Sequence, residues 1–176
     1  MGPLNGIRVL ELAAIGPAPF AGMYLSDLGA EVIRIDRVGG NSNPLASNAG
    51  PMERGKRSIN VDLKSAEGRT IFLDLVSTSD VLLEGFRPGV TERLGVGPDE
   101  CLQCNPKLVY ARMTGWGQEG PLSESPGHDI NYIGIAGPLA HIGRKGEQPS
   151  VPLNLLGDFG GGSMFVIVGI LSALLA

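Results

Sequence analysis

The sequence predicts an α/β fold, a Rossmann-like open sheet that is mainly parallel and is flanked by helices. The first observation is a strand, a helix and a second strand over residues 7–12, 17–28 and 31–36. Two parallel strands joined by a helix form a crossover unit, the building block of parallel sheets. The second observation is that strand and helix patterns keep alternating along the chain. A length of 176 residues, with 43% hydrophobic and 18% charged side chains, suits one globular domain.

The first helix is predicted by the residues at its two ends. Pro17 and Pro19 fall in a first turn, where the missing N–H of proline is tolerated. Gly29 suits the position just after the helix end, where the backbone is often left-handed. Between them, Phe20 and Leu25 belong to an apolar helical face.

The rest of the chain supplies the further elements of the predicted sheet. We predict strands at residues 58–63, 81–84 and 107–113, and helices at residues 65–76, 90–94 and 98–104. Ser65 is the predicted cap of its helix. Residues 39–55 are rich in Gly, Asn, Ser and Pro, which predicts a loop. Residues 163–176 read as an apolar buried helix, and at fourteen residues we expect it to be too short to span a bilayer.

The net charge of −4 argues against a generic nucleic-acid partner or an anionic membrane surface, because both reward an excess of positive charge. Charge is uneven, however, with six basic and three acidic residues between Arg34 and Lys64. This stretch predicts a face for a small anionic ligand, and a solvated surface is the alternative. Cys101 and Cys104 are too few for a disulfide framework, and ordinary helix positions are favoured over a zinc or redox site. Because no secretory signal pattern opens the chain, we expect a cytoplasmic location.

A dinucleotide site is suggested by Asp36, which closes the second strand where an acidic residue meets a ribose in Rossmann folds. The glycine fingerprint is missing, since two residues of Gly16-Pro-Ala-Pro19 have no N–H to offer a pyrophosphate. The sequence therefore predicts the Rossmann-like shape without ordinary NAD binding. Arg37 follows Asp36 and is placed to meet a ribose phosphate, or to lie in solvent.

A histidine and an aspartate form the candidate acid/base pair. His128 lies in Gly-His-Asp-Ile-Asn-Tyr at 127–132, and Asp158 lies in a glycine-rich segment after an apolar segment that is predicted to be a strand. A neutral imidazole and a carboxylate suit proton transfer near neutral pH. A structural hydrogen-bonding role is the alternative for His128. The Asp-Phe-Gly triplet at 158–160 is not taken as that of a protein kinase, because the other kinase motifs are missing.

These segments resemble the class III CoA-transferase superfamily, and within it the α-methylacyl-CoA racemases. The resemblance is carried in order along essentially the whole chain, by residues 4–12, 16–19, 27–37, 55–58, 61–64, 84–90, 110–118, 127–132 and 153–162.

The resemblance implies a 1,1-proton transfer at the α-carbon of a 2-methylacyl-CoA. His128 and Asp158 would face opposite sides of that carbon, one removing the proton and the other returning one to the enolate. The backbone N–H of Asp129 would stabilise the oxyanion. Because a carboxyl near its reference pKa of about 3.9 is a poor donor at neutral pH, we predict that burial raises the pKa of Asp158.

The resemblance also implies a binding surface for CoA, which is part of the substrate, and therefore no separate cofactor and no metal. The residues implied are Ile15, Arg37, Val61, Asp62, Leu63, Lys64, Arg87, Arg93, Gly127 and Tyr132. Arg suits phosphate because its planar fork binds two oxygens at once.

Members of this superfamily are roughly twice as long. We expect residues 1–176 to be a Rossmann-like CoA-binding and catalytic domain without the smaller second domain, which in the superfamily supplies a Glu that supports the His and closes two subunits into a homodimer. Two alternatives to the racemase stay open. One is a CoA-transferase in which Asp158 is the nucleophile that forms an acyl anhydride. The other is an inactive CoA-binding fragment.

Overall fold

Five strands form a single parallel sheet in the computed structural model, which describes residues 2–40 and 50–176. They are β1 (Arg8–Leu12), β2 (Glu31–Asp36), β3 (Arg57–Asn60), β4 (Val81–Glu84) and β5 (Val109–Arg112). The spatial order is β3-β2-β1-β4-β5, and each neighbouring pair is parallel. Val9 of β1 lies opposite Val32 of β2 and Val81 of β4. The predicted class, an open parallel α/β sheet, is confirmed.

Helices connect and cover these strands. They are α1 (Pro17–Asp27), α2 (Ala66–Ser77), α3 (Val90–Arg93), α4 (Pro98–Cys104), α5 (Asp129–Ala136) and α6 (Met164–Leu175). Short 3₁₀ helices lie at Pro51–Glu53 and Pro138–His141, and a π-helix at Leu155–Ser163 leads into α6. Ser65 caps α2 as predicted, with its hydroxyl accepting a hydrogen bond of 2.9 Å from the N–H of Gly68.

Each face of the sheet carries its own core. On one face Val9, Val32 and Leu83 pack with α1 and with Ile167 and Ile170 of α6. On the other face, residues of β1, β2 and β4 pack with α2 and α4: Leu10, Leu12, Ile35 and Leu82 meet Phe72, Val76 and Cys101. Because side chains of a strand alternate between faces, the apolar runs of the central strands serve both cores. Cys101 is therefore a core residue, and both cysteines occupy ordinary positions of α4, as predicted.

Two predicted strands are longer than the strands observed. The prediction at 58–63 is wrong in its bounds, because β3 ends at Asn60 and the chain then turns into α2. The N–H of Val61 donates to the carbonyl of Asp36, and the N–H of Lys64 donates to the carboxylate of Asp62. β5 likewise covers 109–112 rather than 107–113. Of the predicted loop at 39–55, residues 41–49 lie outside the described part of the chain.

The C-terminal helix is longer than predicted. The π-helix and α6 run together over Leu155–Leu175, which is 21 residues and is long and apolar enough, by length and composition only, to cross a membrane. The expectation of a fourteen-residue segment is wrong because the glycines at 157–162 are helical here. The strand predicted before Asp158 is wrong for the same reason, since the π-helix already begins at Leu155. Ile167 and Ile170 pack against the sheet and are the buried residues of α6, so the expectation of a buried helix is wrong for most of its length.

Candidate active site

The main cavity lies at the carboxyl edge of the sheet and has a volume of about 520 Å³. Its walls come from the loops after β1, β4 and β5, from the segment that enters α5, and from the π-helix. In the order β3-β2-β1-β4-β5, the chain reverses its direction of winding beside β1. Open α/β sheets bind ligands at such a reversal, outside the carboxyl ends of the strands.

His128 and Asp158 meet at this cavity. His128 directly precedes α5, Asp158 lies in the π-helix, and Nδ1 of the imidazole is 3.3 Å from Oδ2 of the carboxylate. Their surroundings differ, since the His128 side chain is 61% exposed and that of Asp158 is 4% exposed. Two groups that can exchange protons therefore face each other, one open to the cavity and one set into its wall.

Burial raises the pKa of the Asp158 carboxyl above its ordinary value of 3.8. The nearby charge of Asp129 acts in the same direction, while the imidazole of His128 and the backbone N–H of Asp129 act against it. Desolvation is the largest of these causes, because a carboxylate removed from water loses its hydration. The predicted direction of the shift is confirmed.

Asp129 holds the backbone beside Asp158. Its carboxylate oxygen Oδ2 accepts hydrogen bonds from the N–H groups of Gly157, at 2.6 Å, and Asp158, at 2.9 Å. Asp129 is the first residue of α5 and is buried. Sequence reasoning selects Asp129 for its backbone N–H and misses this role of its side chain.

The π-helix is fastened to α1 on its other side. The rings of Phe20 and Phe159 stack with centroids 4.7 Å apart, and the hydroxyl of Ser163 donates to the carbonyl of Pro17 at 2.8 Å. Gly16, just before α1, has a φ of 77°, which a residue with a side chain rarely adopts. A Cβ there would make ordinary van der Waals contact with Oδ2 of Asp158, at 3.5 Å, so the positive φ rather than a lack of space favours glycine.

Tyr132 joins two loops of the cavity wall. Its hydroxyl donates to the carbonyl of Gly127, and its ring meets Trp116 edge to face with centroids 4.9 Å apart. A Cβ on Gly115 or Gly127 would lie within 2.8 Å of Tyr132 or Trp116 atoms, so both glycines are required by close packing. Burial, with the charge of Asp158, raises the pKa of Tyr132 to about 12.

The residues implied to bind CoA divide into two groups. Ile15, Arg87, Gly127 and Tyr132 line the cavity together with His128 and Asp158. The other six do not line it: Arg37, Val61, Asp62, Leu63, Lys64 and Arg93. Arg37 follows β2 and residues 61–64 follow β3, so both lie at the same carboxyl edge of the sheet as the cavity. Their role in CoA binding stays a prediction.

The basic stretch between Arg34 and Lys64 is not a free basic face. Four of its six cations form ion pairs: Arg34 with Asp36 and Glu53, Arg54 with Asp27, Lys56 with Glu11, and Arg57 with Glu31. The count of local charge misses three of these carboxylates, those of Glu11, Asp27 and Glu31, because they lie outside the stretch. Arg37 and Lys64 are exposed and form no ion pair within residues 2–40 and 50–176.

A parallel α/β sheet with a His and an Asp in contact in the crevice at its winding reversal is typical of enzymes that act on small molecules. A model of CoA-transferase family III matches residues 4–176, and the chain belongs to this family.

The relatives include both racemases and transferases by name. The chain is 50% identical to alpha-methylacyl-CoA racemase of Mus musculus over 171 residues, which is 97% of this chain and 43% of that protein. It is 48% identical to the Homo sapiens protein of the same name, over 97% of this chain and 44% of that one. A crystal structure of a Mycobacterium tuberculosis relative, named a probable fatty acyl-CoA transferase, superposes with a TM-score of 0.87 at 38% identity. That match covers 99% of this chain and 49% of the other. The chain thus spans less than half the length of each of these three relatives.

Proposed function

We propose that these residues belong to an isomerase that racemises 2-methylacyl-CoA thioesters at C2. The observation that carries the proposal is that His128 and Asp158, from two different elements, line the same cavity with their side chains within reach of each other. Because Nδ1 of His128 and Oδ2 of Asp158 are 3.3 Å apart, the substrate must enter between the two side chains and separate them before its α-carbon can meet both. The names of the mouse and human relatives support the same reaction.

In the proposed reaction, one of the two residues takes the α-proton and the C–H electron pair moves into the thioester carbonyl to give an enolate. The other residue then gives a proton to the opposite face, and the electron pair returns to form the new C–H bond. His128 and Asp158 exchange the roles of base and acid between the two enantiomers. The raised pKa of Asp158 helps this exchange, because it brings the carboxyl closer to the imidazole in proton affinity.

The oxyanion of the enolate needs a donor, and we propose the backbone N–H of Asp129. This N–H belongs to the first residue of α5 and acts on the Asp158 carboxyl in the absence of substrate, so an incoming thioester oxygen would share or replace that contact. The first N–H groups of a helix have no acceptor within the helix and carry partial positive charge. Such a donor stabilises negative charge that develops during the reaction.

We propose that CoA binds along the carboxyl edge of the sheet as part of the substrate, without a separate cofactor. Arg37, Lys64, Arg87 and Arg93 are exposed cations at or near this edge, suited to the phosphates of CoA. A cytoplasmic location and a homodimeric assembly complete the proposal.

A second candidate is a CoA-transferase, in which the carboxylate of Asp158 attacks the thioester carbonyl, expels the CoA thiolate and forms an acyl anhydride. Oδ1 of Asp158 is buried and has no hydrogen-bond partner among the described residues. An oxygen that no donor holds is available to attack a carbonyl carbon. Relatives that are named CoA-transferases support this candidate, including the Acetobacter aceti acetyl-CoA:oxalate CoA-transferase.

The deciding experiment incubates the complete natural chain that contains these residues with one enantiomer of a 2-methylacyl-CoA in deuterated water. We expect α-deuterium to be incorporated and optical activity to be lost, because the returned proton comes from solvent-exchanged residues. Binding without either change would contradict racemisation and favour a CoA-binding role. An acyl adduct trapped by hydroxylamine, with no α-exchange, would favour the transferase.

A further inference from the structure

We infer that the side chain of Asp129 is a positioning residue, which holds the carboxylate of Asp158 opposite the imidazole of His128. This inference rests on the proposed function, because it assigns a part in the proton transfer to a residue that acts through another. It is distinct from the backbone N–H of Asp129, since the side chain faces the π-helix.

The first support is the bridge itself. One oxygen of Asp129 accepts the N–H of Gly157 at 2.6 Å and that of Asp158 at 2.9 Å, and the residue is only 2% exposed. Hydrogen bonds to an ionised acceptor are shorter and stronger than those between neutral groups. Burial protects them from competition with water, so the bridge is a firm attachment between α5 and the π-helix.

The second support is the place of the bridge in the chain. Asp129 directly follows His128, and Gly157 directly precedes Asp158, although the bridged residues are 28 and 29 positions apart. The bridge therefore joins the immediate neighbours of the two reactive residues. Any lengthening of it moves the backbone of Asp158 relative to that of His128.

The third support is the packing at Gly157. A Cβ at this position would lie 3.1 Å from the Cα of Asp129, 3.2 Å from its carbonyl oxygen and 3.3 Å from its carboxyl carbon. The two backbones are thus in direct contact, with little space for a side chain between them. This close approach is what allows one oxygen to reach both N–H groups.

Asp129 also sets the charge around Asp158. The titratable groups that face the Asp158 carboxyl are His128, Asp129 and Tyr132. The negative charge of Asp129 favours the protonated form of Asp158. Removal of that charge without removal of the bridge must therefore lower the pKa of Asp158, which a purely structural role would not do.

The test compares Asp129→Asn, Asp129→Ala and Gly157→Ala in the complete natural chain, with Asp74→Asn, an exposed aspartate of α2, as the matched control. We expect D129A to lower kcat by about 100-fold, the loss that a displacement of about 1 Å produces. KM should change less than kcat, because the cavity walls remain.

D129N keeps an oxygen acceptor, so it should recover most of kcat and shift the acid limb of the pH profile to lower pH. G157A should resemble D129A, and D74N should behave as the unaltered protein.

Carbon NMR of the labelled Asp158 carboxyl separates this inference from the proposed reaction. A lower pKa of Asp158 in D129N is expected whether the protein is a racemase or a transferase. An unchanged pKa, or a D129A variant with unaltered kcat, would overturn the positioning role. If D129A does not fold, the other two variants decide. The positioning role is then overturned by an unchanged acid limb of the pH profile in D129N together with an unaltered kcat in G157A. Absence of α-exchange in the unaltered protein would instead contradict the proposed function alone.

Discussion

At the scale of single residues, His128 and Asp158 occupy unlike surroundings even though their side chains are in contact. In model compounds their pKa values differ by more than two units, at about 6.5 and about 3.9. Burial raises the pKa of the Asp158 carboxyl above its ordinary value. Each residue must take a proton from the α-carbon in one direction of the reaction and give one to it in the other, and similar proton affinities suit both roles.

The first prediction concerns these two side chains. Each of His128→Asn and Asp158→Asn removes one proton carrier, so we expect racemisation to fall by about 10²- to 10⁴-fold in either variant. Optical rotation of a single 2-methylacyl-CoA enantiomer provides the measurement. His141→Asn is the control, since His141 is exposed in a 3₁₀ helix and does not line the cavity. Racemisation that stays near the unaltered rate in D158N would contradict the two-base mechanism.

At the scale of elements, a buried ion pair ties β1 to the segment before β3. Nζ of Lys56 lies 2.7 Å from Oε2 of Glu11, with the two side chains 2% and 0% exposed. The same Nζ donates to the carbonyl of Pro19 at 3.0 Å, which adds the first turn of α1. Gly22 of α1 leaves the space for this pair, since a Cβ there would lie 1.7 Å from Oε2 of Glu11.

Loss of the cation at this site is predicted to destabilise the fold. Lys56→Met leaves Glu11 buried without its partner, and removal of one member of a buried pair costs about 3–5 kcal/mol. The double variant Glu11→Gln with Lys56→Met should recover part of this loss, because it buries no uncompensated charge. Chemical denaturation at pH 8 gives the free energy of unfolding. Arg54→Met removes an exposed ion pair and should change it little, so equal effects of K56M and R54M would contradict the argument.

The same pair makes stability depend on pH. Burial raises the pKa of Glu11 from 4.5 to about 7, against the lowering effect of the Lys56 ammonium. A carboxyl that binds its proton more tightly in the folded state adds stability below its unfolded pKa, and this contribution is lost as the pH rises through the folded value. Between pH 4.5 and about 7, the unfolding free energy should therefore fall relative to that of Glu11→Gln. Denaturation curves at both ends of this range measure it, and parallel profiles for the two proteins would contradict it.

The elements also show what the sequence could predict. β1, β2 and β4 lie inside the sheet, where both faces of a strand are buried. Such strands are rich in apolar residues, so they can be predicted from the sequence. β3 is an edge strand with every residue exposed, so its bounds depend on its pairing with β2. The helical state of the glycine-rich π-helix depends on its packing against α1 and α5, which glycine propensity opposes.

The candidate site divides in the same way. His128 and Asp158 could be found from residue type and from the resemblance, because their chemistry is visible in the letters of the sequence. The bridge from Asp129 to Gly157 joins residues 28 positions apart, and only the folded chain brings them together. The local charge count treats Lys56 as a free cation that could face a ligand. Its partner Glu11 lies 45 positions away, and only the folded chain brings the two together.

At the scale of the whole molecule, α6 has apolar side chains on two sides. Ile167 and Ile170 pack into the core, while Phe165 is 77% exposed, Val168 56% and Leu175 88%. Residues spaced three or seven positions apart, as these three are, lie on one side of a helix. Contiguous apolar patches of this kind are typical of surfaces that bind other protein surfaces or membranes.

The last prediction follows from this exposed side of α6. The isolated 176-residue chain should associate with itself in a concentration-dependent way, because burial of these side chains in a contact removes apolar area from water at about 25 cal/mol per Å². Analytical ultracentrifugation over a range of concentrations measures the association, and added salt should not dissolve it, since no charge is involved. Phe165→Ser combined with Val168→Ser should weaken it, whereas Ile71→Ser, which alters a single exposed residue of α2, should not. Sedimentation of the unaltered chain as a monomer at all concentrations would contradict the prediction, as would equal weakening by the α2 control.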